Sequence, residues 1–305
     1  MSVENSVRSI EIVSIVRSPV SGRRFRFSVH MERQIQRTPE QVYTYLPAKY
    51  AIPAVLHKQL LLCHADRTND SFEFNYRLVY PKGISKDEAM ERARIDFDTI
   101  IPEYAKSTFF VSLSETPTNK PLWGHYGDKG KGICLGFHFD LSIDGDKLLN
   151  KVEYDGPYTI HVEEVNQFET PPERLKEIIA GVLTTKRAEW SYEKEWRLLI
   201  PTNFQERLER DKDGREFFAF APRELSSVHF GEHCSGLDIG RMALVCLKNG
   251  FEVPFFQVEK QLKESWDNHS DPLCPTFQMD FVSKRLSTKT IDQCINMAIM
   301  AGCYA

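Results

Sequence analysis

At 305 residues, with 41% hydrophobic and 27% charged side chains, the chain has the make-up of an ordinary globular protein, long enough for one large core or two smaller ones. Its 39 basic and 43 acidic residues leave a net charge of −4, which excludes a global field for nucleic acid or an anionic membrane, so any polyanion binding would be local. The longest apolar runs, such as Ile52 to Cys63, are broken by Pro53, His57 and Lys58 and fall short of the roughly 20 residues of a membrane span; a soluble, cytoplasmic protein is expected.

In chain order, the first thirty residues lack the apolar core of a secretory signal and carry Arg8, Arg17, Arg23, Arg24 and Arg26 against Glu4 and Glu11. Ile10 to Val16 and Phe25 to Val29 read as short strands of an N-terminal extension, residues 1–37. The main domain is expected over 38–259. Val42 to Leu46 alternates like a strand, Pro47 to Lys58 reads as a helix, and Leu60 to Cys63 returns as a strand. His64 to Glu73 has the Asn and Asp content of a polar loop that lines a site, and Ser85 caps a helix expected over Lys86 to Ile100.

Thr108 to Ser114 is the most strand-like apolar run, and its alternation puts Ser112 and Ser114 on one face, suited to a ligand's polar edge. His125 and Tyr126 follow, able to bind or protonate a substrate or simply to satisfy a loop. The glycines of Gly127 to Gly132 match neither a GxGxxG turn nor a Walker loop, which excludes P-loop and Rossmann sites. Ile133 to Phe139 is a buried strand, and Thr170 to about Lys186 a helix with Pro near its start.

That helix delivers the chain to Trp190-Ser191-Tyr192-Glu193-Lys194-Glu195-Trp196-Arg197. In a strand, Glu193 and Glu195 would share a face, a like-charge arrangement that needs cations, a ligand or raised pKa values, as an acidic catalytic pair does. Surface ion pairs with Lys186, Arg187 or Arg197 explain the same residues without chemistry. Beyond them, Ile239 to Asn249 reads as a helix and Phe251 to Val258 as a strand. The stretch from Lys260 is irregular until an apolar helix near Thr290 to Ala301, and 260–305 is expected as an extension packed on the main body.

The seven cysteines, Cys63, Cys134, Cys234, Cys246, Cys274, Cys294 and Cys303, form no CxxC pair and read as reduced thiols. His229, His233, Cys234 and Cys246 cluster in sequence, but their spacing and the lack of an acidic residue between the histidines favour a structural role over zinc. The pattern of elements predicts an α+β fold of mixed, strongly bent sheets with flanking helices.

Together, Val42-Tyr43-Thr44-Tyr45-Leu46, Asn69-Asp70-Ser71-Phe72-Glu73, Ser112-Leu113-Ser114-Glu115, Leu122-Trp123-x-His125-Tyr126, Val152-x-Tyr154, and Lys186 ahead of Trp190-x-Tyr192-Glu193-x-Glu195-Trp196-Arg197 resemble the bacterial family of domain of unknown function 2971, from about Gln41 to Gly231. Ser71 departs from the family's usual proline. The order of features also resembles, more distantly, the ADP-ribosyltransferases, which implies a split β-sandwich with NAD as substrate and no metal. In that likeness Glu195 holds the ribose and Glu193 orients or deprotonates the nucleophile. Tyr43, Tyr45 or Trp123 stacks on nicotinamide or adenine, Ser112 and Ser114 face the ligand, and His125 and Tyr126 donate hydrogen bonds. The first strand lacks the family's Arg, which leaves Arg67, Arg77 or His125 to meet the pyrophosphate.

The likeness implies ADP-ribosyl transfer or NAD hydrolysis in a bacterial stress, toxin or phage-defence setting, with a protein or nucleic-acid acceptor. The chemistry suits carboxylates, which stabilise an oxocarbenium-like state as they do in glycoside hydrolysis. Two other classes fit the residues. One is a non-catalytic module sensing a ligand or nucleic acid through the 69–73 loop and His125-Tyr126. The other is a metal-dependent nuclease using Asp155, Glu193 and Glu195, which lacks an acid-x-Lys signature.

Overall fold

The computed structural model describes residues 10–17, 24–31, 39–64, 68, 73–93, 97–106, 108–143, 146–165, 172–201, 204, 206–265 and 276–303. The chain divides into two compact units, 1–39 and 40–305. In the first, strands β1 (Ile10–Arg17) and β2 (Arg24–Met31) pair antiparallel in register, Ile10 opposite Met31.

The second unit is α+β. It opens with β3 (Val42–Leu46), helix α1 (Ala48–His57), β4 (Gln59–Leu61), β5 (Cys63–His64) and β6 (Tyr76–Val79). Helices α2 (Lys86–Ala93) and α3 (Phe97–Lys106) lead to β7 (Thr108–Ser114), α4 (Lys120–His125) and β8 (Ile133–Phe137). Short strands β9 (Ser142–Ile143), β10 (Asp146–Lys147), β11 (Leu149–Lys151) and β12 (Tyr158–His161) precede α5 (Pro172–Leu183). Then come β13 (Glu195–Pro201), β14 (Leu208–Arg210), β15 (Glu216–Ala219), β16 (Leu225–Phe230), α6 (Gly236–Lys248), β17 (Phe255–Ser265), β18 (Thr276–Arg285) and α7 (Thr288–Met300). Among the described residues no helix is long and apolar enough to cross a membrane.

A nine-stranded sheet organises this unit in the order β11-β13-β7-β3-β8-β16-β17-β18, with β5 added beside β7. Only the β16–β17 pair along that path is parallel; its other neighbours run antiparallel. Period-two alternation separates the two faces. Val111 and Leu113 of β7, with Leu198 and Ile200 of β13, join the larger core, which also takes Ile52 and Val55 of α1 and Met242 of α6. Phe110 and Leu199 turn the other way, into a second core with Phe97, Ile101, Ile178 and Val182 of α3 and α5.

Three sequence expectations change. The helix expected over 86–100 is two helices, α2 and α3; Ser85 caps the first, its hydroxyl accepting from the Glu88 amide at 3.1 Å. Residues from Lys260, which read as irregular, complete β17 and form β18, its antiparallel partner. The helix expected to reach Lys186 stops at Leu183, because Thr184 and Thr185 turn their hydroxyls back onto the Ala180 and Gly181 carbonyls, both at 2.7 Å. Thr185 then bridges to Glu153, and the Lys186 amide bonds the Glu153 carbonyl at 2.8 Å. This early stop sets the position of the Lys186 side chain.

Candidate active site

Strand register assembles the site. Tyr43 of β3 lies opposite Ser114 of β7, and Ser114 lies opposite Glu195 of β13, so three adjacent strands present a row of Tyr, Ser and Glu. Ser112 and Arg197 form the next cross-strand pair on the same face. At the far end of the row Gly136 faces Tyr43; a Cβ there would stand 2.3 Å from the Ser227 hydroxyl and 3.0 Å from the Tyr43 ring, so only glycine lets that ring lie across the strand.

Glu193 and Glu195 do not share a strand. Ala188–Glu193 is a 3-10 helix, Lys194 has a left-handed backbone (φ 46°, ψ 52°), and Glu195 is the first residue of β13. That one residue breaks the extended chain, and the two carboxylates reach a common point from different elements. Lys186 supplies the point: its ammonium stands 2.6 Å from Glu193, 3.1 Å from Glu195 and 3.2 Å from Glu73. Arg197, 1% exposed, donates Nε to Glu195 at 2.9 Å and Nη2 to Glu73 at 2.7 Å, while its Nη1 caps the C-terminus of α5 through the Leu183 carbonyl at 2.7 Å. The guanidinium also lies over the rings of Phe110 and Phe74, at 4.9 and 5.3 Å.

The two glutamates differ in their environment. Glu195 takes Arg197 and Ser112 on Oε1 and Lys186 and Arg197 on Oε2. Burial alone would raise its pKa, but the Arg197 and Lys186 charges and the hydrogen bonds outweigh it and hold the carboxyl at about 2. Glu193 has Lys186 on one oxygen and only a 3.3 Å bond from the Tyr126 hydroxyl on the other. Burial pushes its pKa up, because the ammonium it leans on is shared with two other carboxylates. Tyr126 is pushed up to about 12, by burial and by the Glu193 charge.

A cavity of about 410 Å³ opens over this network, lined by Tyr43, Tyr45, Ser112, Ser114, Tyr126, Trp190 and the three glutamates with Lys186. Its size is within the range of small-molecule sites. Of the residues singled out in sequence, it gathers Tyr43, Tyr45, Ser112, Ser114, Tyr126, Glu193 and Glu195. Within it, Ser114 gives its hydroxyl to the Glu193 carbonyl at 2.8 Å, and Tyr45 spends its hydroxyl on the Thr116 carbonyl and the Asn119 amide.

Trp123 and His125 are not among the lining residues. Trp123 is 2% exposed, its indole N–H given to the Pro117 carbonyl at 2.8 Å and its ring edge-on to Tyr45, so it is core and offers no stacking face. His125 is exposed at the end of α4, beside Tyr126 but outside the cavity wall. Arg77, exposed and bonded to Thr159, is equally apart, and Arg67 lies outside the described residues. Asp155 is exposed and does not line the cavity. Among the described residues no group of three or more His, Cys, Asp or Glu is arranged to hold a metal ion. His229 instead bonds Ser227 and Ser283 through its two ring nitrogens and stacks on Phe256; burial depresses its pKa to about 4.

Reading from sequence gave Lys186 and Arg197 only as surface partners and placed Glu73 in a site-lining loop without assigning it a role, although each belongs to a motif carrying the family likeness. Residues 122–198 match the family described as a protein of unknown function, DUF2971. The matched segment runs from α4 into β13, so it contains Tyr126, Lys186, Glu193, Glu195 and Arg197, while Tyr43, Glu73, Ser112 and Ser114 come from the chain before it. No curated protein and no solved structure matches the chain significantly. The matched segment thus supplies Lys186, Glu193, Glu195 and Arg197 of the ion-pair network, Glu73 supplies its fifth member, and β3 and β7 complete the wall around it.

Proposed function

We propose that the cavity is a small-molecule site whose ligand is NAD, cleaved or transferred at the nicotinamide–ribose bond, with Glu193 as the reacting carboxylate. One observation carries this reading: the aromatic first strand, the Ser-x-Ser strand and the Glu-x-Glu turn that resemble ADP-ribosyltransferases line a single cavity. In this reading the C1′–N bond breaks heterolytically, the electron pair leaves with neutral nicotinamide, and positive charge spreads over the ribose ring. A carboxylate beside that ring stabilises it. Water or an acceptor then bonds C1′ and gives its proton to Glu193, whose raised pKa suits a base.

The role that sequence gives Glu195 passes to Glu193. Glu195 has both oxygens committed to Arg197, Lys186 and Ser112, which makes it the frame that fixes the ammonium and guanidinium. That same saturation favours a second reading, a ligand-sensing module without turnover, suited to the bacterial stress or phage-defence setting that the family likeness implies. Nicotinamide release from NAD by wild type and Glu193→Gln separates the two. Release that falls by about 10²-fold or more in the variant supports catalysis. Saturable NAD binding with no release by wild type transfers the site to the sensing reading, and absence of both defeats NAD as the ligand.

A further inference from the structure

The charges that face the cavity are unequal. Glu73, Glu193 and Glu195 line it as acids and Lys186 as a base, with Arg197 behind the wall against Glu73 and Glu195. Two cations therefore serve three carboxylates, and each of these five side chains is under a tenth exposed. In such surroundings water screens charge weakly, so an uncompensated carboxylate acts strongly on whatever enters. Glu193 is the least compensated, holding one shared ammonium and a long bond from Tyr126.

The rest of the polar wall adds no positive charge. Lys186, the basic residue among the described lining residues, is already engaged by three carboxylates, so it has little to offer a phosphate. Tyr43, Tyr126 and Trp190 line the same cavity, and the Trp190 ring already carries the Lys186 ammonium at 4.9 Å. Aromatic walls beside a surplus carboxylate favour a flat, weakly hydrated cation and disfavour an anion.

We propose that the cavity receives the cationic planar end of its ligand, an N-substituted pyridinium or a similarly charged heteroaromatic ring, and leaves phosphate groups outside. The inference rests on the small-molecule reading given above and narrows it to a ligand class. It extends to ligands that carry no phosphate, which the NAD reading alone does not.

The test is calorimetric titration of the full chain at about pH 8, well above the ordinary carboxylate value, with 1-methylnicotinamide, nicotinamide, NAD and ADP-ribose. The expected result is 1-methylnicotinamide binding at least about tenfold more tightly than neutral nicotinamide, and NAD more tightly than ADP-ribose. In Glu193→Gln the preference for the methylated ring should shrink to within about twofold, the cation having lost its nearest uncompensated charge. Equal affinity for nicotinamide and its methylated cation overturns the inference; if NAD still binds, the NAD reading survives without it. Preference for the pyridinium with no NAD binding keeps the inference and removes NAD as the ligand. Binding of none of the four overturns both. The wild-type comparison decides the matter even if the variant does not fold.

Discussion

Glu193 and Glu195 stand on either side of a single lysine and have opposite electrostatic histories. Glu195 is ionised and tied; removing its charge leaves Arg197 buried without its main partner. Glu195→Gln should therefore lower unfolding stability by about 3–5 kcal/mol. Glu193→Gln should cost less than about 1 kcal/mol, since the amide oxygen still accepts from Lys186 and the charge it replaces is held there at a penalty. Urea unfolding of both variants at neutral pH checks the contrast, and equal costs would contradict it. The pH dependence has matching signs. Glu195, depressed to about 2, contributes stability in full above the ordinary value of 4.5, and that stability is lost as pH falls from there toward 2. Glu193, raised above 4.5, weakens the fold as pH rises from 4.5 through its folded value. Thermal unfolding followed against pH should show the second effect vanish in Glu193→Gln and the first in Glu195→Gln. With Lys186, Tyr126 and Glu195 around it, Glu193 should also release a proton when a cation binds, so pyridinium affinity should rise with pH across the same window.

At the scale of elements, the decisive detail is the left-handed Lys194, which ends the 3-10 helix and starts β13. Lys194→Gly suits that backbone and should leave stability within about 1 kcal/mol of wild type. Lys194→Ile favours continuing the extended chain; it should cost about 1–2 kcal/mol and weaken ligand binding by separating the two carboxylates. Thermal unfolding and ligand titration together check this, and an isoleucine variant with unchanged binding would show that the turn does not position Glu193. This turn was not legible in the sequence, because Glu-x-Glu leading into Trp-Arg-Leu-Leu-Ile has the period of a strand and nothing in Lys marks a left-handed residue. The end of α5 was missed for a related reason: Ala180 to Lys186 contains no Pro, its one glycine, Gly181, lies inside the helix rather than after its end, and the chain closes the helix with two threonine hydroxyls instead. By contrast Val42–Leu46 and Thr108–Ser114 were read to the residue, since alternation and β-branched or aromatic side chains agree there.

For the molecule as a whole, local pattern reveals α+β character but not which strands lie side by side. Glu73 and Arg197 are 124 positions apart, and Ser112 and Glu195 are 83 apart, yet each pair is in hydrogen-bond contact. Only the order β13-β7-β3 turns the Tyr, Ser and Glu signatures into one row. The same order explains the misplaced members. Trp123 looks like a stacking residue in sequence, but its position behind Tyr45 makes it core, and His125, between the lining residues Leu122 and Tyr126, is exposed and takes no part in the wall. Lys186 and Arg197 read as surface partners of the glutamates; the sheet buries them with those glutamates and converts an ordinary ion pair into the floor of a cavity.

The most direct measurement is a crystal structure of Glu193→Gln with NAD, the variant chosen to hold the ligand uncleaved. The nicotinamide ring should lie inside the cavity, within hydrogen-bonding or stacking reach of residue 193, Tyr126 and Trp190, with both phosphates outside it. Phosphates seated against Lys186, or NAD bound elsewhere on the chain, would contradict it.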